Sequence, residues 1–106
     1  MSDLQHRVLV TDKVHKHLLI SFQNRHWVVD YQPDISYDDA KAIISDYTGV
    51  IINSKIKATK EFLDLASQLK FIGRLGSGLE IIDLEYAAAN DIKVYNSPEG
   101  LSLIHI

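Results

Sequence analysis

Three glycines, Gly73, Gly76 and Gly78, crowd the segment Arg74-Leu75-Gly76-Ser77-Gly78, directly after the apolar stretch Lys70-Phe71-Ile72-Gly73. In open α/β sheets ligands settle beyond the carboxyl ends of the strands, and successive N–H groups in a glycine turn form a nest for an anion. A carboxylate is the guest that this chemistry suits. The glycine spacing leaves a second reading open, a tight turn that needs positive φ angles and binds nothing. Two nucleotide motifs fail on this loop. A dinucleotide fingerprint starting at Gly76 requires glycine or alanine at position 81, which is Ile81, and the lysine of a Walker loop is missing.

Three cations follow apolar runs, Lys55 and Lys57 after Val50-Ile51-Ile52 and Arg74 beside the glycines. Lys55 and Lys57 are either solvated loop lysines or charges that face an anionic ligand. Arg74 is either a ligand-facing cation or one half of a structural ion pair. The histidines His6, His15, His17, His26 and His105 read as surface residues. His15 and His17 are two apart, a spacing that separates them on a helix and makes a poor metal pair. The sequence has no cysteine, which removes thiol nucleophiles, disulfides and cysteine-based zinc sites together.

The elements that must position the loop follow from the hydrophobic pattern. Apolar runs of strand length alternate with helix-patterned stretches, the signature of βαβ units and a mainly parallel sheet. Five strands are predicted: Arg7–Thr11, His26–Tyr31, Val50–Ile52, Lys70–Gly73 and Ile92–Asn96. A helix over about Val14–Gln23 puts Val14, Leu18, Leu19 and Phe22 on one face. Ser36 and Asp39 have capping-box spacing ahead of a helix that buries Ala40, Ile43 and Ile44. Thr59 is the expected cap of a third helix burying Phe62, Leu63, Ala66 and Leu69, and Asp83 caps a short helix Leu84–Ala89 that turns at Asn90-Asp91. Right-handed crossovers close such a chain into an α/β, flavodoxin-like, doubly wound parallel sheet of about five strands. Neither a repeat nor a Gly/Pro/Ser-rich linker divides it.

Several segments in order, Asn53-Ser54-Lys55-Ile56-Lys57-Ala58-Thr59, then Leu69 through Leu84, Ala87-Ala88-Ala89, Ile92-Lys93-Val94 and Asn96-Ser97-Pro98-Glu99-Gly100, resemble the D-isomer-specific 2-hydroxyacid dehydrogenases. The resemblance covers roughly residues 7–100. It implies that residues 1–100 are the incomplete first segment of a substrate-binding domain, followed in the family by a Rossmann domain for NAD that this chain lacks. It further implies that backbone N–H groups of Leu75, Gly76, Ser77 and Gly78 hold a substrate carboxylate, with Asn53 and Ser54 close to the substrate. Asn53 departs from family members that act on a phosphorylated acid, in which an arginine commonly precedes that serine. The family's catalytic arginine and its glutamate-assisted histidine lie downstream, so no catalytic residue is expected here and the chain alone should be inactive. The complete enzyme would interconvert a small D-2-hydroxy acid and its 2-oxo acid with NAD, serine biosynthesis being one setting, and would be a homo-oligomer. The alternative is a stand-alone flavodoxin-like module that binds small acids.

After Gly100 the family pattern breaks. Leu101-Ser102-Leu103-Ile104-His105-Ile106 reads as a non-native tail on a truncated frame, which predicts bare apolar surface and poor solubility. The 106 residues are 46% hydrophobic and 24% charged, an ordinary composition for one small core. A net charge of -3 with dispersed Lys and Arg argues against nucleic acid. The polar start resembles no signal peptide, and no apolar run is long enough for a bilayer, so a cytoplasmic protein with no membrane contact is expected.

Overall fold

The computed structural model describes residues 6–76 and 78–96. Its strands are β1 (Arg7–Val10), β2 (Val28–Tyr31), β3 (Gly49–Ile52), β4 (Phe71–Arg74) and β5 (Lys93–Asn96). The helices between them are α1 (Lys16–Asn24), α2 (Tyr37–Ile43), α3 (Lys60–Leu65) and α4 (Leu84–Ala89), and a 3₁₀ turn over Ile44–Asp46 extends α2. All pairings are parallel, and the strand order is β2-β1-β3-β4-β5. This is the doubly wound α/β sheet that the alternating pattern predicts.

The sheet separates two apolar clusters. Val8, Val10, Ile51 and Phe71 meet Leu18 and Phe22 of α1 on one face. Leu9, Val50, Ile52 and Ile72 meet Ala40, Phe62, Leu63 and Ala87 of the other three helices on the opposite face. Consecutive residues of β1 and β3 therefore bury to both sides, which explains why those strands are apolar without alternation. Full burial of each such side chain contributes about 1.5–3 kcal/mol of transfer free energy.

Element ends differ from the sequence expectation for local reasons. Lys13–His15 stay outside α1, and His15 is extended at its N-cap with no side-chain bond. β2 starts only at Val28 because His26 takes a left-handed conformation, φ 66°, in the turn after α1. β3 begins one residue earlier, at Gly49, where an added Cβ would run into the Phe71 ring. β4 shifts forward to include Arg74, which pairs with Ile52. Ser36 and Asp83 cap as expected, accepting the N–H groups of Asp39 at 3.1 Å and Tyr86 at 3.0 Å. Thr59 does not: it occupies the N-cap of α3, but its side chain makes no capping bond, and the Thr59 carbonyl accepts from Leu63 instead. α3 stops at Leu65, so Ala66 and Leu69 bury their side chains from the following turn rather than from the helix. After α4 the chain reverses through Asp91 at φ 59°, the turn expected at Asn90-Asp91. Ser97–Gly100 and the tail 101–106 lie outside the described residues.

Candidate functional site

The carboxyl ends of β1, β3 and β4 carry two buried polar side chains, Thr11 and Arg74. Thr11 follows β1 and donates its hydroxyl to the Ile51 carbonyl at 3.0 Å and to the Asp12 carboxylate at 3.0 Å. The same Asp12 oxygen accepts the Asn53 N–H at 3.0 Å, which fixes the backbone where β3 ends. Asn53 in turn accepts the Arg74 Nη1 on its Oδ1 at 2.9 Å, and Arg74 Nε donates to the Gly78 carbonyl at 2.8 Å. Three strand ends and the glycine loop are thus joined by one chain of hydrogen bonds. Every link that involves Arg74 or Asp12 has a charged partner and belongs to the stronger class of such bonds.

The loop is held at both ends as well. Leu75 donates its N–H to Ile52 at 2.8 Å, continuing the β3–β4 ladder. Beyond the loop, Ala58 and Ile82 form an isolated parallel bridge, with Ala58 N–H to Ile81 and Asp83 N–H to Ala58, both at 2.9 Å. Gly76 is packed against the guanidinium. A Cβ there would lie 2.6 Å from Arg74 Nη1 and 2.7 Å from its Cζ, closer than side-chain carbons approach.

The residues singled out in the sequence come together unequally. Asn53, Leu75, Gly76 and Gly78 surround Arg74 at the ends of β3 and β4, whereas Ser77 lies outside the described residues. The Leu75 N–H is already committed to Ile52, which leaves the Gly76 and Gly78 amides, and the Glu80 carboxylate lies against Gly78, so the Gly76 amide is the one clear of negative charge. Among the described residues neither glycine amide donates elsewhere. Ser54 is exposed, and its carbonyl accepts Lys57 Nζ at 3.1 Å. Lys55 Nζ donates to the Pro33 carbonyl at 2.9 Å, bracing the loop after β2 rather than facing the glycines. Both bonds of Arg74 go to uncharged oxygens, so among the described residues it is not one half of an ion pair. His15 and His17 sit with ring centroids 6.2 Å apart, closer than helical spacing suggests because His15 precedes the helix. No group of three metal-ligating side chains occurs among the described residues.

Sequence reasoning missed Thr11 and Asp12 as members of this network. Their only local signal was a polar pair after an apolar strand, which reads as a turn. The partner that matters, Asn53, is 41 residues away from Asp12.

A dinucleotide does not fit here. The first helix after the loop begins at Leu84 and has six residues, and its first-turn donor at Tyr86 is taken by the Asp83 carboxylate. A pyrophosphate would meet that negative charge instead of free N–H groups. Among the described residues no helix is long and apolar enough to cross a membrane.

Comparison with known proteins gives the chain a family and a fold. The family model for the D-isomer specific 2-hydroxyacid dehydrogenase catalytic domain matches residues 8–103. A D-3-phosphoglycerate dehydrogenase of Synechocystis sp. is 34% identical over 94 residues, covering 89% of this chain and 17% of that protein. The Homo sapiens D-3-phosphoglycerate dehydrogenase is 31% identical over 97 residues, covering 92% of this chain and 18% of the relative. The chain therefore spans less than a fifth of the length of these curated relatives. Among solved structures, a Pyrococcus horikoshii OT3 protein superposes with a TM-score of 0.80 at 28% identity, over 89% of this chain and 28% of that one. The NAD+-bound 3-phosphoglycerate dehydrogenase of Entamoeba histolytica has the same fold, with a TM-score of 0.76 at 23% identity, over 88% of this chain and 33% of that one.

Proposed function

The chain belongs to the D-isomer specific 2-hydroxyacid dehydrogenase family, and on that footing we propose that it is the first segment of a substrate-binding domain, contributing a carboxylate half-site to an oxidoreductase. The observation that carries this reading is the pinned glycine loop at the carboxyl ends of β3 and β4, where Arg74 holds the Gly78 carbonyl and packs against Gly76. Amide donors suit one end of a 2-hydroxy or 2-oxo acid, and they hold it without contributing a proton or a hydride.

The complete protein interconverts a small D-2-hydroxy acid and its 2-oxo acid by hydride transfer with NAD. The nucleotide is held by a dinucleotide-binding domain outside this chain, because the glycine loop fits no pyrophosphate. The acid–base group and the substrate-orienting cation also lie outside it, so the segment alone is inactive. Oxidation of D-3-phosphoglycerate is the narrower activity that the curated relatives support, in a cytoplasmic homo-oligomer. Within the half-site we assign Asn53, Ser54, Gly76 and Gly78 to the substrate, and the family resemblance adds Ser77.

The test is turnover by the complete protein. With NADH and a panel of 2-oxo acids that includes 3-phosphohydroxypyruvate, pyruvate, glyoxylate and hydroxypyruvate, nucleotide oxidation is expected with at least one acid. Absence of turnover with every acid in the panel, in both reaction directions, would remove the proposal.

A further inference from the structure

We infer that Arg74 is a positioning residue for acid binding: its guanidinium meets no substrate but holds the glycine loop and the Asn53 amide in one fixed relation. The inference rests on the dehydrogenase reading above, because it assigns the loop a carboxylate to position. Three observations carry it. Arg74 is only 7% exposed, so the cation lies under the loop rather than in front of it. Its two directional bonds run to two different segments, the Gly78 carbonyl at 2.8 Å and Asn53 Oδ1 at 2.9 Å. The glycine at position 76 leaves the space that the guanidinium fills.

The consequences follow from bond geometry. Holding the Gly78 carbonyl toward Arg74 fixes one wall of the loop, so the amides of Gly76 and Gly78 need not be ordered by the ligand. Preorganised donors bind an anion better than donors that must be collected on binding. Holding Oδ1 of Asn53 defines which way its amide faces, and the Nδ2 group becomes the donor left for a ligand oxygen. The backbone of Asn53 is anchored separately by Asp12 at 3.0 Å, so only its side chain depends on Arg74. A lysine cannot replace this residue, because an ammonium lacks the planar fork that serves two acceptors at fixed angles.

The experiment uses the complete protein and the variants Arg74→Met, Arg74→Lys, Asn53→Leu and the double variant Arg74→Met/Asn53→Leu. The KM for the best 2-oxo acid should rise by roughly tenfold to a hundredfold in each single variant, with the KM for NADH unchanged. Hydrogen exchange of the peptide over residues 75–79, measured without substrate, should accelerate in Arg74→Met and in Asn53→Leu. The double variant should exchange no faster than Arg74→Met, since the bond lost in Asn53→Leu is already absent there. Exchange that accelerates additively in the double variant would overturn the inference. So would an Arg74→Lys enzyme within about threefold of the parent in acid KM, because charge alone would then suffice. Should Arg74→Met fail to fold, Asn53→Leu decides alone: unchanged exchange and unchanged acid KM in that variant contradict the inference. If the parent protein turns over no hydroxy or oxo acid, the proposed function falls, while the exchange measurement still decides what Arg74 does to the loop.

Discussion

Polar groups are buried at both ends of β3, and they do different work. At its carboxyl end Arg74 binds a backbone carbonyl and an amide oxygen. Ahead of its amino end Tyr47, 2% exposed, donates its hydroxyl to the Asp30 carboxylate, which also accepts from Gln32 at 3.0 Å. Arg7 lies over the Tyr47 ring at 5.1 Å. The Tyr47 cluster closes on itself, with each group satisfied by its neighbours. The Arg74 network ends in the glycine loop, where the Gly76 amide has no partner among the described residues. A buried polar cluster that is complete supports the fold, whereas one that terminates in spare donors prepares a site.

That contrast can be broken from either side. The largest expected effect is Gly76→Ala in the complete protein, where the added Cβ displaces the guanidinium; kcat/KM for the 2-oxo acid should fall about a hundredfold. The melting temperature should move little, and steady-state kinetics beside calorimetry would show the separation. Gly49→Ala should do the reverse, since its Cβ enters the Phe71 ring in the core. Denaturant unfolding should report a loss of about 1–3 kcal/mol, with acid KM unchanged in the fraction that folds.

Tyr47 sharpens the comparison through pH. Burial first, and then its bond to Asp30, push its hydroxyl up to about 12 from an ordinary value of 10.0. The folded protein therefore keeps this proton more tightly than the unfolded chain does. Stability from the shift is complete below about pH 10 and is lost as pH rises from there through about 12. Unfolding followed across that window should show a decline in stability attributable to this group, and Tyr47→Phe should flatten it. Smallest is Ser36→Ala, which removes the cap of α2 and should cost about 1 kcal/mol with no change in kinetics.

What was legible in the sequence follows the range of the interactions. β1 and β3 were found because burial on both faces demands consecutive apolar residues, and that demand is local. The caps at Ser36 and Asp83 were legible because each bond closes within three residues. Thr59 shows the limit of the same rule, since a suitable residue in the cap position formed no side-chain bond. The glycine loop itself stood out by spacing. Its support did not, because Arg74 and Asn53 are 21 residues apart and Asp12 and Asn53 are 41 apart. Arg74 was read as a ligand-facing cation or an ion-pair partner since a sequence gives the charge of a residue but not the oxygens around it. Likewise the Leu75 amide could be assigned to a ligand until the Ile52 carbonyl was seen to hold it.

The central claim is that the glycine loop after β4 grips the carboxylate of a 2-hydroxy or 2-oxo acid in a dehydrogenase. Its most direct test is the acid KM of the complete protein and of Gly76→Ala, measured with NADH and the best acid of the panel. The account predicts NAD-dependent turnover by the parent, a rise in acid KM of at least about tenfold in the variant and an unchanged nucleotide KM. Turnover with equal acid KM in parent and variant would contradict it.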